Sequence, residues 1–223
     1  MIVMAFDLSS RCIGIVTVRL EGKKINKIMS CPIIPPDYSA VTLGFMKTKK
    51  KLPTKSGELL STYYKIGEVS ISKAEKERRD DAVRAQKDLY VLANISKAMA
   101  GLIDNIKPDL ILVEKNAIFN GILTSILLAK VMGTLLGLSG RLGIPVKEYA
   151  VSKVRSILNV GKVVVEFCKG KSEEELRRIP DITKRALGEL MSKEYGIIFN
   201  TDDEGDAGVL FNYWYKTEVL LNE

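Results

Sequence analysis

The chain contains no histidine. Imidazole is the usual general base near neutral pH and a frequent metal ligand, so its absence excludes histidine-dependent hydrolysis and histidine-held zinc. Carboxylates are left as the main chemistry-bearing groups. Cysteine is also scarce: Cys12, Cys31 and Cys168 are widely spaced and form no CxxC pair. That supports neither a disulfide framework nor a thiolate metal site, and it points to a reducing, cytoplasmic setting. A secretory leader is not expected, because MIVMAFDLSS has no basic leading region and turns polar early. One stretch, about 117–142, is apolar enough to raise the question of a membrane, but it carries Lys130 near its centre. A charge there costs about 3 kcal/mol on insertion scales. A helix buried in a soluble protein is therefore the expectation, with no membrane partner.

What is present is enough for one sizeable core. With 223 residues, 46% hydrophobic and 27% charged, the expectation is one α/β domain over 1–223 with an insertion at about 31–80. The formal charge of +7 and pI of about 9.2 suit a polyanionic partner such as nucleic acid. Residues 46–79 hold ten Lys and Arg against four Glu, a local +6, whereas the stretch after Thr201 is mostly acidic. Binding surface and reaction site can therefore be separate.

Periodicity gives the order of elements. Residues 2–8 and 12–18 are short β-branched runs, and a turn at Glu21 to Lys24 leads into a third run at 25–30, a three-strand meander. From Cys31 to about Arg79 there is no clean period, and the Tyr63–Tyr64 pair falls in this stretch. Ala85, Leu89, Leu92, Met99, Ile103 and Ile106 recur at helical steps over 81–106, and Pro108 ends the helix. The apolar run 109–113 then reads as a central strand ending on Glu114. A helix at about 120–142 is apolar around most of its girth and must be covered on two sides. A strand at 146–149 and helices near 183–194 and from about Glu204 to Leu221 complete a β-β-β-α-β-α-β-α-α order.

Two acids sit where such a fold exposes chemistry. Asp7 follows five apolar residues at the end of the first strand, and Glu114 is the first polar residue after the buried fourth. Parallel neighbours in an open α/β sheet bring their carboxyl ends to one crevice, so adjacency of these strands would make Asp7 and Glu114 meet. Asp203 and Asp206 are three residues apart at the start of the last helix and point from one face. Asp202 competes with Asp203 for this place, or serves as the N-cap. Taken singly, each acid has an ordinary structural use as turn residue, strand-end ion pair or helix N-terminal acid. Taken together, four converging carboxylates require a cation, and oxygen-only ligation suits Mg²⁺ or Mn²⁺. Two such ions about 4 Å apart hydrolyse phosphodiesters without histidine. For the basic residues Lys153, Arg155 and Lys184 phosphate contact and ordinary solvation are both open, and Phe119, Tyr63 and Tyr64 could wedge or stack against bases, although core packing is the commoner use of an aromatic.

In this order the motifs resemble the RuvC family of Holliday junction resolvases, within the ribonuclease H-like superfamily. Asp7 and Gly14 match the family's D-P-G-x4-G opening at the same spacing, although Leu8 and Ser9 replace its Pro and Gly. Pro108, Asp109 and Glu114 match its P-D-x4-E strand, Ile144 to Ala150 its L-P-V-x-E-Y-A segment, and Asp203 to Ala207 its D-A-A-D-A helix start. The resemblance covers residues 1–30 and about 81–220. It implies a mixed five-stranded sheet flanked by helices, with Asp7, Glu114, Asp203 and Asp206 as catalytic residues and ligands of two Mg²⁺ or Mn²⁺ ions. It further implies a homodimer through the helix at 120–142 and symmetric nicking of a four-way DNA junction. Arg155 and Lys184 fall where the family has basic residues near the scissile phosphate, with Lys153 beside them. The family's wedge aromatic corresponds to Ala117, which makes Phe119 the substitute, and the insertion at 31–80 has no counterpart. Other expectations to weigh are a ribonuclease of the same superfamily, an actin-like ATP-binding protein, for which a second phosphate hairpin is missing, and a catalytically silent binding module.

Overall fold

A computed structural model describes residues 1–9, 12–34, 73–115 and 122–221, with side chains from 88 onward in the third stretch and from 125 onward in the fourth. Of the basic insertion, residues 35–72 lie outside the described residues, as do Ala117 and Phe119. By contacts the chain divides into two compact units, Met1–Ile34 with Ile95–Glu223, and Pro35–Asn94. The first unit carries the sheet and every candidate acid.

Its sheet has five strands in the order β3-β2-β1-β4-β5: β1 Ile2–Asp7, β2 Ile13–Glu21, β3 Lys24–Ile33, β4 Leu110–Glu114 and β5 Val146–Tyr149. β1, β2 and β3 form the antiparallel meander, while β1 with β4 and β4 with β5 run parallel. The sheet is therefore mixed, as the α/β reading requires. Glu21 pairs with Lys24 across a two-residue turn, and Gly22 supplies the positive φ of 58° that the reversal needs. β3 extends past the expected 25–30 through Cys31 and Pro32, which removes those residues from the insertion. Pro32 is tolerated because β3 is an edge strand, where a missing N–H costs no ladder bond.

Helices follow as α1 Lys73–Ile106, α2 Ile122–Leu142, α3 Val151–Ser156, α4 Val160–Cys168, α5 Glu173–Arg177, α6 Ile182–Tyr195 and α7 Asp202–Trp214, with a π-helical turn Tyr215–Leu220 after it. α1 begins eight residues before the periodic stretch starts at Asp81. Its first turns, Lys73 to Asp80, are straight-chain Lys, Glu and Arg that favour helix without an apolar period. The three short helices α3, α4 and α5 were not separated by periodicity. α5 is set by a capping box in which Ser172 and Glu175 satisfy each other's end of the helix.

The core is built on the sheet. Val3, Ala5, Val16, Val18, Leu20, Leu110 and Leu112 face α7, whose Ala207, Val209, Leu210, Phe211 and Trp214 are buried against them with Val154, Leu187 and Met191. The alternate residues Met4, Phe6, Ile13, Ile15, Ile111 and Val113 are fully buried as well, so the other face is also covered. Ile95, Met99 and Ile103 of α1 and Val131 and Leu135 of α2 are the buried side chains available to cover it. α2 nevertheless leaves Ile126, Leu136 and Leu142 exposed, so one side is buried and the other is not. Its segment Ser125–Leu142 is long and apolar enough to cross a membrane by length and composition; Arg141 pairs with Asp104 and the Ser139 hydroxyl is satisfied by the Leu135 carbonyl.

Candidate active site

Strand pairing fixes the first two acids. Phe6 pairs with Val113 across the parallel β1–β4 ladder, so Asp7 and Glu114 are neighbours at the carboxyl end of the sheet. Asp7 also pairs with Gly14 in the antiparallel ladder to β2. That glycine has a specific steric reason. A methyl group there would overlap the Asp203 carbonyl and the Glu204 amide nitrogen, so the backbone at the start of α7 rests directly on β2.

The start of α7 is held from two more sides. Thr201 is its N-cap, accepting a hydrogen bond from the Glu204 amide at 3.2 Å, while the Glu204 carboxylate accepts from the Asn200 and Thr201 amides at 2.9 Å each. This capping box replaces the possibility that Asp202 is the cap, and it starts the helix at Asp202 rather than Glu204. The Glu204 side chain is fully buried, so it serves the backbone and not the solvent. On the far side α6 crosses α7 where Gly188 meets Gly205; a Cβ on Gly205 would come within 2.9 Å of the Gly188 Cα.

α6 crosses closely enough to deliver a lysine. Lys184 Nζ lies 2.7 Å from Asp206 Oδ2, 3.3 Å from Asp203 Oδ1 and 3.8 Å from Asp7 Oδ2. Three carboxylates from two distant parts of the chain thus share one ammonium. Arg155 adds a second cation, its Nη2 lying 3.5 Å from Asp206 Oδ1. Asp202 turns away and pairs with Arg185 at 3.5 Å, so Asp203 is the member of the pair that joins Asp7 and Asp206. Lys153 is exposed and makes no ion pair among the described residues.

Burial and repulsion act on the acids in the same direction. The Asp7 carboxyl is held well above the ordinary range by burial first, then by the charges of Asp206 and Glu114, with Lys184 opposing. Glu114 is pushed from 4.5 up to about 7, again by burial first and then by Asp206, against the pull of Arg155 and Lys184. For Lys184, burial disfavours the charge, but Asp206, Asp7 and Asp203 outweigh it and hold the ammonium above its usual value. With all four acids ionised the cluster would set four negative charges against Lys184 and Arg155, and burial and mutual repulsion oppose that state.

Among the described residues no three Asp, Glu or Cys side chains are arranged as a finished ion site. The donor set fits a hard divalent cation all the same: the carboxylates already surround a positive charge, Lys184 Nζ, and every donor is an oxygen. Tetrahedral nitrogen or thiolate ligation has no support here, since Cys12 engages Thr201 at 3.8 Å and burial pushes its thiol up to about 11. Of the sequence-selected residues, the structure brings Asp7, Glu114, Asp203, Asp206, Arg155 and Lys184 to one end of the sheet. The capping pair Thr201 and Glu204 had a readable signal in the T-x-x-E spacing, whereas the Arg185–Asp202 pair had none.

Comparison with known proteins bears on the fold. Two structures of RuvC from Thermus thermophilus, one of them in complex with a Holliday junction substrate, match at TM-scores of 0.51 each. Sequence identities are 10% and 11%, and the matches cover 98% of this chain and 98% of each RuvC chain. The yeast mitochondrial Holliday junction resolvase matches at TM-score 0.44 and 12% identity, over 96% of this chain and 78% of its own. No protein-family model matches the sequence, and no curated protein matches it. The chain resembles RuvC, and what it shares with RuvC is the α/β fold of a mixed five-stranded sheet flanked by helices.

Proposed function

We propose that this chain is a metal-dependent endonuclease that cuts branched DNA, with the four-way Holliday junction as its substrate. The observation that carries the reading is the convergence of Asp7, Asp203 and Asp206 on one cation, beside Glu114, at the carboxyl end of a sheet shared with RuvC. Open α/β sheets place their ligand crevice at that end. A histidine-free chain that gathers four acids there suits phosphodiester hydrolysis.

In this reading Asp7, Glu114, Asp203 and Asp206 hold two Mg²⁺ or Mn²⁺ ions. When bound, such ions activate a water for in-line attack and stabilise the leaving 3′ oxygen, giving a 5′-phosphate. The protein's own residues supply the rest. The β1–β2 and β1–β4 ladders fix Asp7 and Glu114, and the Gly14 contact fixes Asp203 relative to them. Arg155 and Lys184 are cations within reach of the same carboxylates, placed to orient a phosphate and to offset charge that develops on it. Lys153, on the exposed side of α3, is a further backbone contact.

The exposed apolar side of α2, with Ile126, Leu136 and Leu142, suits a second copy of the chain, as two symmetric cuts require. The whole chain then acts as one nuclease domain, with its basic insertion as added DNA-binding surface and Phe119 as the wedge. The decisive test is cleavage of a synthetic four-way junction beside linear duplex and an RNA hairpin, with Mg²⁺, with Mn²⁺ and with EDTA. Metal-dependent, paired nicks in the junction alone are expected. Preferential cutting of the RNA hairpin would instead assign a ribonuclease of the same superfamily, and no cutting of any substrate would remove the nuclease reading.

A further inference from the structure

We infer that Lys184 is an internal placeholder cation: it holds the carboxylate cluster together in the metal-free protein and is expelled from it when divalent metal enters. The inference rests on the metal-binding reading above. Its first support is geometric. One ammonium lies 2.7, 3.3 and 3.8 Å from oxygens of three carboxylates, a set no ordinary surface ion pair reproduces.

The second support is where this lysine comes from. Lys184 stands in the first turn of α6, with Asp181 as the N-cap accepting from the Lys184 amide at 3.0 Å. A cation at a helix N-terminus faces the positive end of the helix dipole, where acids are favoured. α6 has no acid in its first turn. The placement therefore opposes local electrostatics, and contact with Asp7, Asp203 and Asp206 is what offsets it. Without a cation these three, with Glu114 beside them, are like charges pushed together with little water to screen them.

A divalent ion shared by the same oxygens needs the volume that Nζ fills. Two cations at these distances would repel, so entry of metal and departure of Lys184 are one exchange. The lysine stem, anchored on α6 and about 30% exposed at its side chain, leaves toward solvent. Once outside, it stands at the rim, where an incoming phosphate would meet it. One side chain then serves two states in turn, as counter-ion before metal and as phosphate contact after. Metal affinity is lowered by this competition, since only the fraction of molecules with Lys184 displaced can bind.

Amine acetylation followed by mass spectrometry tests the exchange on the unaltered protein. Mg²⁺ should raise the rate at Lys184 several-fold over EDTA at matched ionic strength, while Lys169, paired to Glu166 on an exposed helix face, keeps its rate. Calorimetry on the same samples shows whether Mg²⁺ binds. In parallel, Lys184→Met should melt about 3–6 °C lower than the parent in EDTA, regain that loss in Mg²⁺, and bind Mg²⁺ about tenfold tighter. Folding only when Mg²⁺ is present supports the inference equally, and if the variant folds in neither condition the acetylation result decides alone. Mg²⁺ binding that leaves Lys184 protected, or a Lys184→Met protein with parental melting in EDTA and no gain in affinity, overturns the inference while leaving the nuclease reading in place. Failure of both proteins to bind Mg²⁺ overturns the two together.

Discussion

Ion pairs occur in two parts of this molecule and do different things in each. On α4 and α5, Lys169–Glu166, Arg177–Glu173 and Arg178–Glu174 are one helical turn apart, and their side chains are 67–89% exposed. Such pairs lie in water, are screened, and contribute little. At the end of the sheet, Asp206 is only 5% exposed in its side chain and shares Lys184 with Asp7 and Asp203. There burial and mutual repulsion oppose full ionisation of the acids. The difference teaches that the surface pairs are local helix chemistry, whereas the cluster holds buried acids at a cost that a bound cation can relieve. Folding alone has no use for that cost.

The comparison can be broken or sharpened by substitution. The largest effect is expected at Asp7→Asn and Glu114→Gln, which should cut junction cleavage on the order of 10³-fold or more while junction binding persists. Full activity in either would return these acids to a structural role. Next comes Gly14→Ala, whose methyl would collide with the Asp203 backbone. It should cost about 3 kcal/mol in urea unfolding and abolish cleavage, although residue 14 carries no side chain in the parent.

A pH effect of middle size follows from Glu114. Its folded value, raised from 4.5 to about 7, means that the folded protein keeps a proton the unfolded chain gives up. The associated stability is fully present below about 4.5 and is lost as pH rises through about 7. In EDTA the melting temperature should therefore fall across that window, by the equivalent of about 1–2 kcal/mol after discounting for partial exposure. Glu114→Gln should flatten the fall. Thr201→Ala, which removes the N-cap of α7, should cost about 1 kcal/mol. Glu174→Gln, on the exposed face, should change stability by less than about 0.5 kcal/mol; a larger loss there would erase the distinction between the two regions.

How much of this was legible beforehand varied with the kind of signal. β1 and β4 stood out because a core strand is a continuous apolar run, and an acid closing such a run marks its tip; Asp7 and Glu114 were located in this way. Glycine at position 14 was visible only as part of a motif, since the reason for it lies some 190 residues away in the chain, at Asp203. Spacing left Asp202 and Asp203 equivalent, because both lie on the first turn of one helix; only the position of α6, with Lys184 and Arg185 on different sides, separates them. The short helices between Val151 and Arg177 escaped notice because five to nine residues are too few to show a period. Lys184 stood out only as one candidate phosphate contact, and its place among the acids depends on the close α6–α7 crossing at Gly188 and Gly205, which sequence does not encode locally.

The seat of α7 on Gly14 bears on how such a site can drift over evolutionary time. Half of the acid cluster is registered by main chain lying on main chain: Asp7 is laddered to Gly14, and Gly14 lies against the carbonyl of Asp203. What must be inherited is therefore a spacing and the absence of one methyl group, and not a particular set of neighbours. Between Asp7 and Gly14, Leu8 is buried and the Ser9 hydroxyl accepts from the Cys12 amide at 3.3 Å. A register set by main chain in this way tolerates wide change in side chains, and the fold is shared with RuvC at 10% sequence identity.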